Sequence, residues 1–437
     1  MMQLRARQSR TLGLAAATMT ALALGCGAAE GPGATPAGEG AVDGSAAGAV
    51  GDGDRVLPGV DVLFRDSLHL VRGLRVGLIT NPTGVDASGR STIDRLHEHP
   101  EVELTALFAP EHGLRAAAGE GQHIEDSTDP ATGLPVISLY SGSKRAPTAD
   151  DLAAIDVLLF DMQDIGARYY TYVYTMALSM EAAGAAGVPF VVLDRPNPIG
   201  SAVQGNVLDP DWATFVGLYP VPMRHGLTAG ELARLFRAEF GVEADLSVVP
   251  VDGWTGSRVF EDSGLPWIPP SPNIPDLASA RHYPGTCLFE GTNLSVGRGT
   301  SHPFQQVGAP WIDGEALAAR LTARAIEGVR FEAVRFTPVA PTDGKWADTL
   351  VQGVRLVETD PGRYDPTRAA VAVLVEAYRM AGTEWAWNAA HFDRLAGTDA
   401  LRLGIERGAE VADLTAAWAP ARDDFERRAE PHRIYPR

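Results

Sequence analysis

From residue 55 onward, short runs of consecutive aliphatic residues alternate with longer stretches whose apolar positions recur every three or four residues. The runs 76–80, 104–109, 136–140, 157–161, 190–194 and 246–251 are apolar at nearly every position, which predicts parallel strands covered on both faces. Helical spacing runs through 91–99, 172–186 and 229–240. The last carries its own punctuation: Thr228 and Glu231 make a capping box, and Gly241 follows the end. Alternating strands and helices predict an α/β protein with a Rossmann-like, doubly wound parallel sheet. The proline-rich passage 265–284 is read as a crossover between domains. Beyond it, 311–328 and 367–380 read as helices and 354–358 as a strand. A second, smaller C-terminal domain of α/β or α+β type is expected, dividing the body into 55–275 and 276–437.

The first 54 residues break this pattern. Arg5, Arg7 and Arg10 precede an uncharged stretch, 11–24, and then Gly25 and Cys26. A basic start followed by a short apolar segment predicts a secretory signal over 1–26. Cys26 stands where a bacterial lipoprotein signal places its acylated cysteine, although Ala23 and Leu24 depart from the usual residues there; plain cleavage near 25–29 is the alternative. Residues 27–54 are nearly all small or polar, a composition that makes a flexible tether. The expectation is an exported protein held at the cell envelope, on the periplasmic or outer-membrane side, by a lipid on Cys26.

Composition then narrows the classes. The 437 residues carry 37 Lys+Arg against 55 Asp+Glu, a formal charge of −18, which argues against a nucleic-acid partner. Two cysteines cannot build a disulfide scaffold, and with Cys26 lipidated Cys287 is a lone thiol. No GxGxxG follows a strand, and no GxxxxGK[ST], HExxH or GxSxG motif occurs, so neither a cofactor nor a metal is expected. His97-Glu98-His99 reads as solvent-exposed charge.

In open α/β sheets the ligand lies beyond the carboxyl ends of the strands. The residues there are amides, carboxylates and arginines: Asn81, Glu111 with His112, Ser141 to Lys144, Asp161 and Asp164 with Arg168, and Arg195 with Asn197. Such a set suits acid–base chemistry on a polyhydroxylated or anionic ligand. Glu111 is the sharpest candidate: a proline fixes the backbone before it and Gly113 permits a sharp turn after it. At the mouth of a partly apolar cleft its pKa could be raised, as a general acid requires. A helix cap or an ion pair is the competing reading. Tyr169, Tyr170, Tyr172 and Tyr174 could stack on a sugar ring or fill a core. Arg168, Arg195 and Arg298 could grip a carboxylate or make ordinary ion pairs. His225, Asn273, Glu290 and Asn293 sit in polar turns, the last two just before the Gly297-Arg298-Gly299-Thr300 turn.

Taken together these blocks resemble a known family, the bacterial exo-β-N-acetylmuramidases of NamZ type. The matching segments are GLITNP at 77–82, FAPEHG at 108–113, FDMQDIGARYYTYVYTM at 160–176, LDRPNP at 193–198 and FVGLYPVPMRHGLTAGELA at 215–233, then PSPNIP at 270–275, EGTNLSVGRGT at 290–300 and FDRLAGTD at 392–399. The resemblance covers residues 60 to about 405. It implies a glycosidase that releases N-acetylmuramic acid from the non-reducing ends of peptidoglycan fragments, with its active site between a Rossmann-like and a smaller domain. The glutamate of the Pro-Glu-His-Gly motif carries over to Glu111 as the catalytic residue. A second carboxylate is to be sought among Asp161, Asp164, Asp194 and Glu290, with Asp164 standing first. The lactyl carboxylate of the sugar calls for local arginines, and Arg168, Arg195 and Arg298 are available. The chain departs from the family pattern after Arg115, at Ala116, Glu120 and Gln122. Two other classes stay open: a non-catalytic muropeptide-binding lipoprotein, and a metal-dependent hydrolase using Asp161, Asp164 and Asp194.

Overall fold

The computed structural model describes residues 55–115 and 122–437. The signal and tether segments, with Cys26, and the departures at Ala116 and Glu120 lie outside the described residues. The first half runs α1 (Gly59–Asp66), β1 (Arg75–Thr80), α2 (Thr92–His97), β2 (Glu103–Ala109), β3 (Ser127–Thr128) and β4 (Pro135–Ser138). It continues through α3 (Ala149–Leu152), β5 (Val157–Asp161), α4 (Tyr172–Ala186), β6 (Phe190–Leu193), β7 (Gln204–Val207), β8 (Pro222–Arg224), α5 (Ala229–Glu239) and β9 (Leu246–Val249). One sheet has the order β3-β4-β2-β1-β5-β6-β9, and β7 pairs only with β8. All neighbours in the larger sheet are parallel except β3 on β4. The parallel strands thus wind outward in both directions from β1, and the order reverses between β1 and β5. This is the doubly wound arrangement that the aliphatic runs predict.

Alternation along each strand explains why those runs are apolar throughout. Leu158, Phe160, Phe190 and Val192 feed the core on one face, while Val157, Leu159, Val191 and Leu193 feed the other. Each such side chain contributes about 1.5–3 kcal/mol on burial. Helix α4 buries residues on every side, Tyr172, Tyr174 and Met176 among them, so it lies inside the protein instead of along its surface. The capping box at Thr228 and Glu231 starts α5 as the spacing predicts.

The C-terminal domain begins with α6 (Leu277–Thr286) and continues through β10 (Gln306–Ala309), α7 (Gly314–Ala323), β11 (Val329–Phe336), β12 (Val351–Glu358), α8 (Pro366–Ala381), α9 (Ala389–Ala396), α10 (Ala400–Glu406), α11 (Val411–Ala416) and α12 (Ala419–Ala429). Its antiparallel sheet has the order β10-β12-β11. The proline-rich passage is a crossover only in its first part. Its end is helical, with Pro284 inside α6. There α6 runs against the start of α8 so closely that a Cβ on Gly285 would collide with the Pro366 carbonyl. Helix α7 is shorter than the stretch 311–328 predicts, because Asp313 caps it by accepting from the Ala316 amide and fixes its start.

Candidate active site

Strand β2 ends at Ala109 and delivers Glu111 into a tight turn. The Gly113 amide closes that turn on the Pro110 carbonyl at 2.9 Å. His112 has φ 70°, a conformation that costs most residues energy, and Gly113 follows at 77°. The turn aims the nearly buried Glu111 carboxylate into a cleft of about 450 Å³ between the two domains. Its Oε2 accepts a hydrogen bond of 2.6 Å from the Thr171 hydroxyl. Thr171 precedes the first residue of α4 but makes no side-chain cap to that helix, so the hydroxyl serves Glu111 instead. Thr171 therefore holds the Glu111 carboxylate in place, the role of a positioning residue if Glu111 does the chemistry. Losing a hydrogen bond to a charged group costs about 1.5–3 kcal/mol. Thr171→Ala is expected to lower kcat about tenfold with KM little changed, and Thr171→Ser to restore it. Equal kcat in Thr171→Ala and wild type would remove this role.

Beside Glu111, Tyr140 and Arg145 come from the segment after β4. The Arg145 guanidinium lies 4.0 Å over the Tyr140 ring and 5.2 Å from that of Phe215. It donates to the carbonyls of Gly142 and Lys144 at 2.9 and 2.7 Å, which holds it at the cleft. Burial, with the Glu111 charge beside it, pushes the Tyr140 phenol up to about 12, so it stays a donor at neutral pH. Tyr169 and Tyr170, both buried, line the floor and meet Tyr283 of α6 edge-on.

The opposite wall comes from the C-terminal domain. Arg298 donates twice to one Glu290 oxygen, at 2.5 and 3.2 Å, and once to the Thr342 hydroxyl at 3.0 Å. Lys345 lies beneath, donating to the carbonyls of Phe289, Glu290 and Leu294. Burial alone would push the Glu290 carboxyl up, but Arg298, His391 and Lys345 outweigh it and hold it below its ordinary range. His391 accepts from Arg394 through Nδ1 at 2.5 Å, leaving its Nε2 3.9 Å from Glu290. Among the described residues, no group of three or more His, Cys, Asp or Glu is arranged to hold a metal.

Of the residues singled out from sequence, Glu111, His112, Tyr169, Tyr170, Asn273, Cys287, Glu290 and Arg298 meet at this cleft. The other site candidates do not line it. Asp161 is fully buried and takes Arg195 on both oxygens, at 2.5 and 2.9 Å, with Thr92 at 2.5 Å. Arg195 and Asp161 thus neutralise each other, and neither is available to a ligand. Arg168 is fully buried, its two terminal nitrogens donating to the carbonyls of Asn206, Val221, Leu395 and Ala396. It ties the domains together. Asn81 accepts from Thr83, Asn197 from the Ile199 amide, and Tyr172 donates to the Pro270 carbonyl. Asn293 bridges Glu384 and Ala386. Asp164 accepts from the Gly166 amide and lies 3.2 Å from His225, itself wholly buried. Asp194 takes the hydroxyls of Thr228 and Tyr435 and the Gly230 amide.

One feature of the sheet explains why these residues lie away from the cleft. Beyond β1 and β5, where the strand order reverses and a crevice is expected, residues 265–268 cover Thr83, Val85, Gln163 and Arg195, leaving a recess of about 20 Å³. The open cleft lies to one side, beyond β2 and β4. Sequence reasoning missed Tyr140, Arg145, Thr171, Phe215, His391 and Arg394. Arg145 follows directly on the 141–144 segment noted after a strand, and Thr171 lies inside the tyrosine run.

Comparison with known proteins follows the same lines. The family model described as exo-beta-N-acetylmuramidase NamZ, N-terminal, matches residues 76–278, and its C-terminal counterpart matches 281–435. The peptidoglycan beta-N-acetylmuramidase NamZ of Bacillus subtilis (strain 168) is 43% identical over 383 residues, 87% of this chain and 92% of that protein. Crystal structures of two DUF1343 family proteins from Bacteroides fragilis NCTC 9343 superpose with TM-scores of 0.81 and 0.70, at 36% and 30% identity. Each covers 87% of this chain and 99% of its own. By both halves of its length, this chain belongs to the exo-β-N-acetylmuramidase NamZ family.

Proposed function

We propose that this protein is an exo-acting glycoside hydrolase that releases N-acetylmuramic acid from the non-reducing ends of peptidoglycan fragments. The observation that carries the reading is Glu111, held by Thr171 in a cleft of saccharide size, on a chain 43% identical to a β-N-acetylmuramidase. Glycoside hydrolysis needs a carboxyl group beside the scissile bond to give or take a proton while positive charge develops on the sugar ring. Glu111 fills that role here. Glu290, the other glutamate at the cleft, is matched by Arg298 and serves as a fixed negative charge on the opposite wall. Tyr140, Tyr169 and Tyr170 line the cleft and offer ring faces to a pyranose. Water supplies the hydroxyl that ends on the released sugar, and its proton goes to the leaving saccharide.

The lactyl carboxylate of the substrate falls to Arg145 and Arg394, which replace Arg168 and Arg195 in this assignment. Arg145→Ala or Arg394→Ala is expected to cut kcat/KM for a chromogenic muramide about tenfold relative to the matching glucosaminide, which lacks the lactyl group. An unchanged ratio in both variants would take the lactyl group away from these arginines. The function itself is tested by turnover of that muramide and of the disaccharide of N-acetylmuramic acid and N-acetylglucosamine. Absence of turnover on both, with binding intact, would leave only a muropeptide-binding protein. Export and anchoring through Cys26 belong to the same proposal. Labelled fatty acid should enter the wild-type protein and not Cys26→Ala, and equal labelling would refute the anchor.

A further inference from the structure

Arg168 heads the fully buried side chains by size, and among the described residues no carboxylate lies within 4.0 Å of it. A buried cation is ordinarily paired, because water no longer solvates it. Burial pulls its pKa down, and the side chains that act on its charge are Tyr169, Tyr174 and Cys287, none of them a carboxylate.

A helix end stands in for the counter-ion. Nη2 of Arg168 donates to the carbonyls of Leu395 and Ala396, each at 3.0 Å, and these are the last two residues of α9. The final carbonyls of a helix have no amide of that helix to meet, and they carry the negative end of its dipole. Asn206 of β7 adds a third hydrogen bond, from Nδ2 to the Ala396 carbonyl at 2.7 Å. The other terminal nitrogen, Nη1, donates to the carbonyls of Asn206 and Val221 at 2.8 and 3.0 Å. One planar fork thus pins the end of a C-terminal-domain helix against the β7–β8 pair of the N-terminal domain. The approach is close: a Cβ on Gly397, the residue that ends α9, would stand 3.2 Å from Nη2 and collide with Leu208.

Helix α9 is also the part of the C-terminal domain that carries His391, Arg394 and Leu395 into the catalytic cleft. Arg394 donates to His391 there at 2.5 Å. Arg168 stands behind this wall without lining the cleft itself, its guanidinium carbon 5.3 Å from the centre of the Tyr169 ring in the floor. A helix of eight residues has little stability of its own, so its rotation is set by what holds its ends. Arg394 lies one residue before the first carbonyl that Arg168 grips. We propose that Arg168 is a positioning residue for sugar discrimination: by holding the end of α9 it sets Arg394 where the lactyl carboxylate arrives, without touching the ligand. This rests on the assignment of that carboxylate to Arg145 and Arg394.

The test reads binding, so it does not depend on turnover. Kd values for N-acetylmuramic acid and N-acetylglucosamine are measured on the full chain, and hydrogen exchange of the α9 amides is followed in the same samples. Wild type is expected to prefer the muramic acid, and Arg394→Ala to lower that preference about tenfold. Arg168→Lys keeps the charge but offers one nitrogen in place of a fork. It is expected to lower the preference at least about threefold and to quicken exchange in the last turn of α9 about tenfold. Arg168→Lys combined with Arg394→Ala is expected to lower the preference no further than Arg394→Ala alone, because both act through one guanidinium. Should Arg168→Lys not fold, Asn206→Ala, which removes one of the three hydrogen bonds on the Leu395 and Ala396 carbonyls, is expected to lower the preference about twofold with the same lack of additivity. The proposal is overturned by unchanged α9 exchange, by equal weakening of both sugars, or by losses that add in the double variant. No preference in wild type, or an unchanged preference in Arg394→Ala, would end the lactyl assignment and the proposal with it. Exchange that still quickens in the Arg168 variant distinguishes that failure from the loss of Arg168's hold on α9.

Discussion

Glu111→Gln is expected to lower kcat on a muramide by about 10³-fold or more, while the melting temperature stays within about 2 °C of wild type. Glutamine keeps the shape of the side chain, and its carbonyl can still accept the 2.6 Å hydrogen bond from Thr171. What it loses is the ability to exchange a proton or carry a full negative charge, and those are what hydrolysis requires. The loss should appear in kcat, since the tyrosines and arginines to which sugar binding is assigned remain. Wild-type turnover in this variant would dismiss Glu111 from the chemistry. A collapse in melting temperature would make it a structural residue instead.

The second large effect is expected at Glu290. Glu290→Gln leaves the Arg298 guanidinium, 5% exposed, without the carboxylate it meets at 2.5 Å. Breaking one side of a buried pair costs about 3–5 kcal/mol. Thermal unfolding should therefore move down by several degrees, and activity should fall with the distortion of the wall. The pair also has a pH signature. Because the folded protein holds this carboxyl below its ordinary 4.5, the stabilisation is fully present above that value. It is lost as pH falls through the lower folded value, where protonation uncouples the pair. Unfolding monitored from pH 6 to pH 3 should be steeper for wild type than for Glu290→Gln. Parallel curves would mean the pair contributes nothing to acid stability.

The sheet was legible because buried parallel strands must be apolar on both faces, and six such runs stand out. Helix α4 was legible to the residue for a similar reason. The candidate site was legible only in part. Composition at the sheet edge cannot separate a carboxylate that faces solvent from one already matched by a neighbour. Asp161 and Arg195 are 34 positions apart, and nothing in either segment reveals that they close on each other. Arg168 looked like a ligand-binding cation, but four backbone carbonyls take up its two terminal nitrogens, and carbonyls leave no trace in a sequence. Arg145 was overlooked one residue past the segment noted after a strand, and Arg394 because it lies on α9, away from the strand ends. Glu111, which lines the cleft, stood out in the sequence because its signal is local: a strand end, a proline and a glycine within five residues.

Thr171 has a consequence for any attempt to make this protein sturdier. Its hydroxyl is committed to Glu111, so a helix of 15 residues begins without a side-chain cap. A good cap is worth about 1 kcal/mol. Selection for heat resistance alone would find gains at this end of α4, and each would loosen the carboxylate to which the chemistry is assigned in the proposed function. The uncapped helix is the place where robustness and rate compete for one oxygen atom.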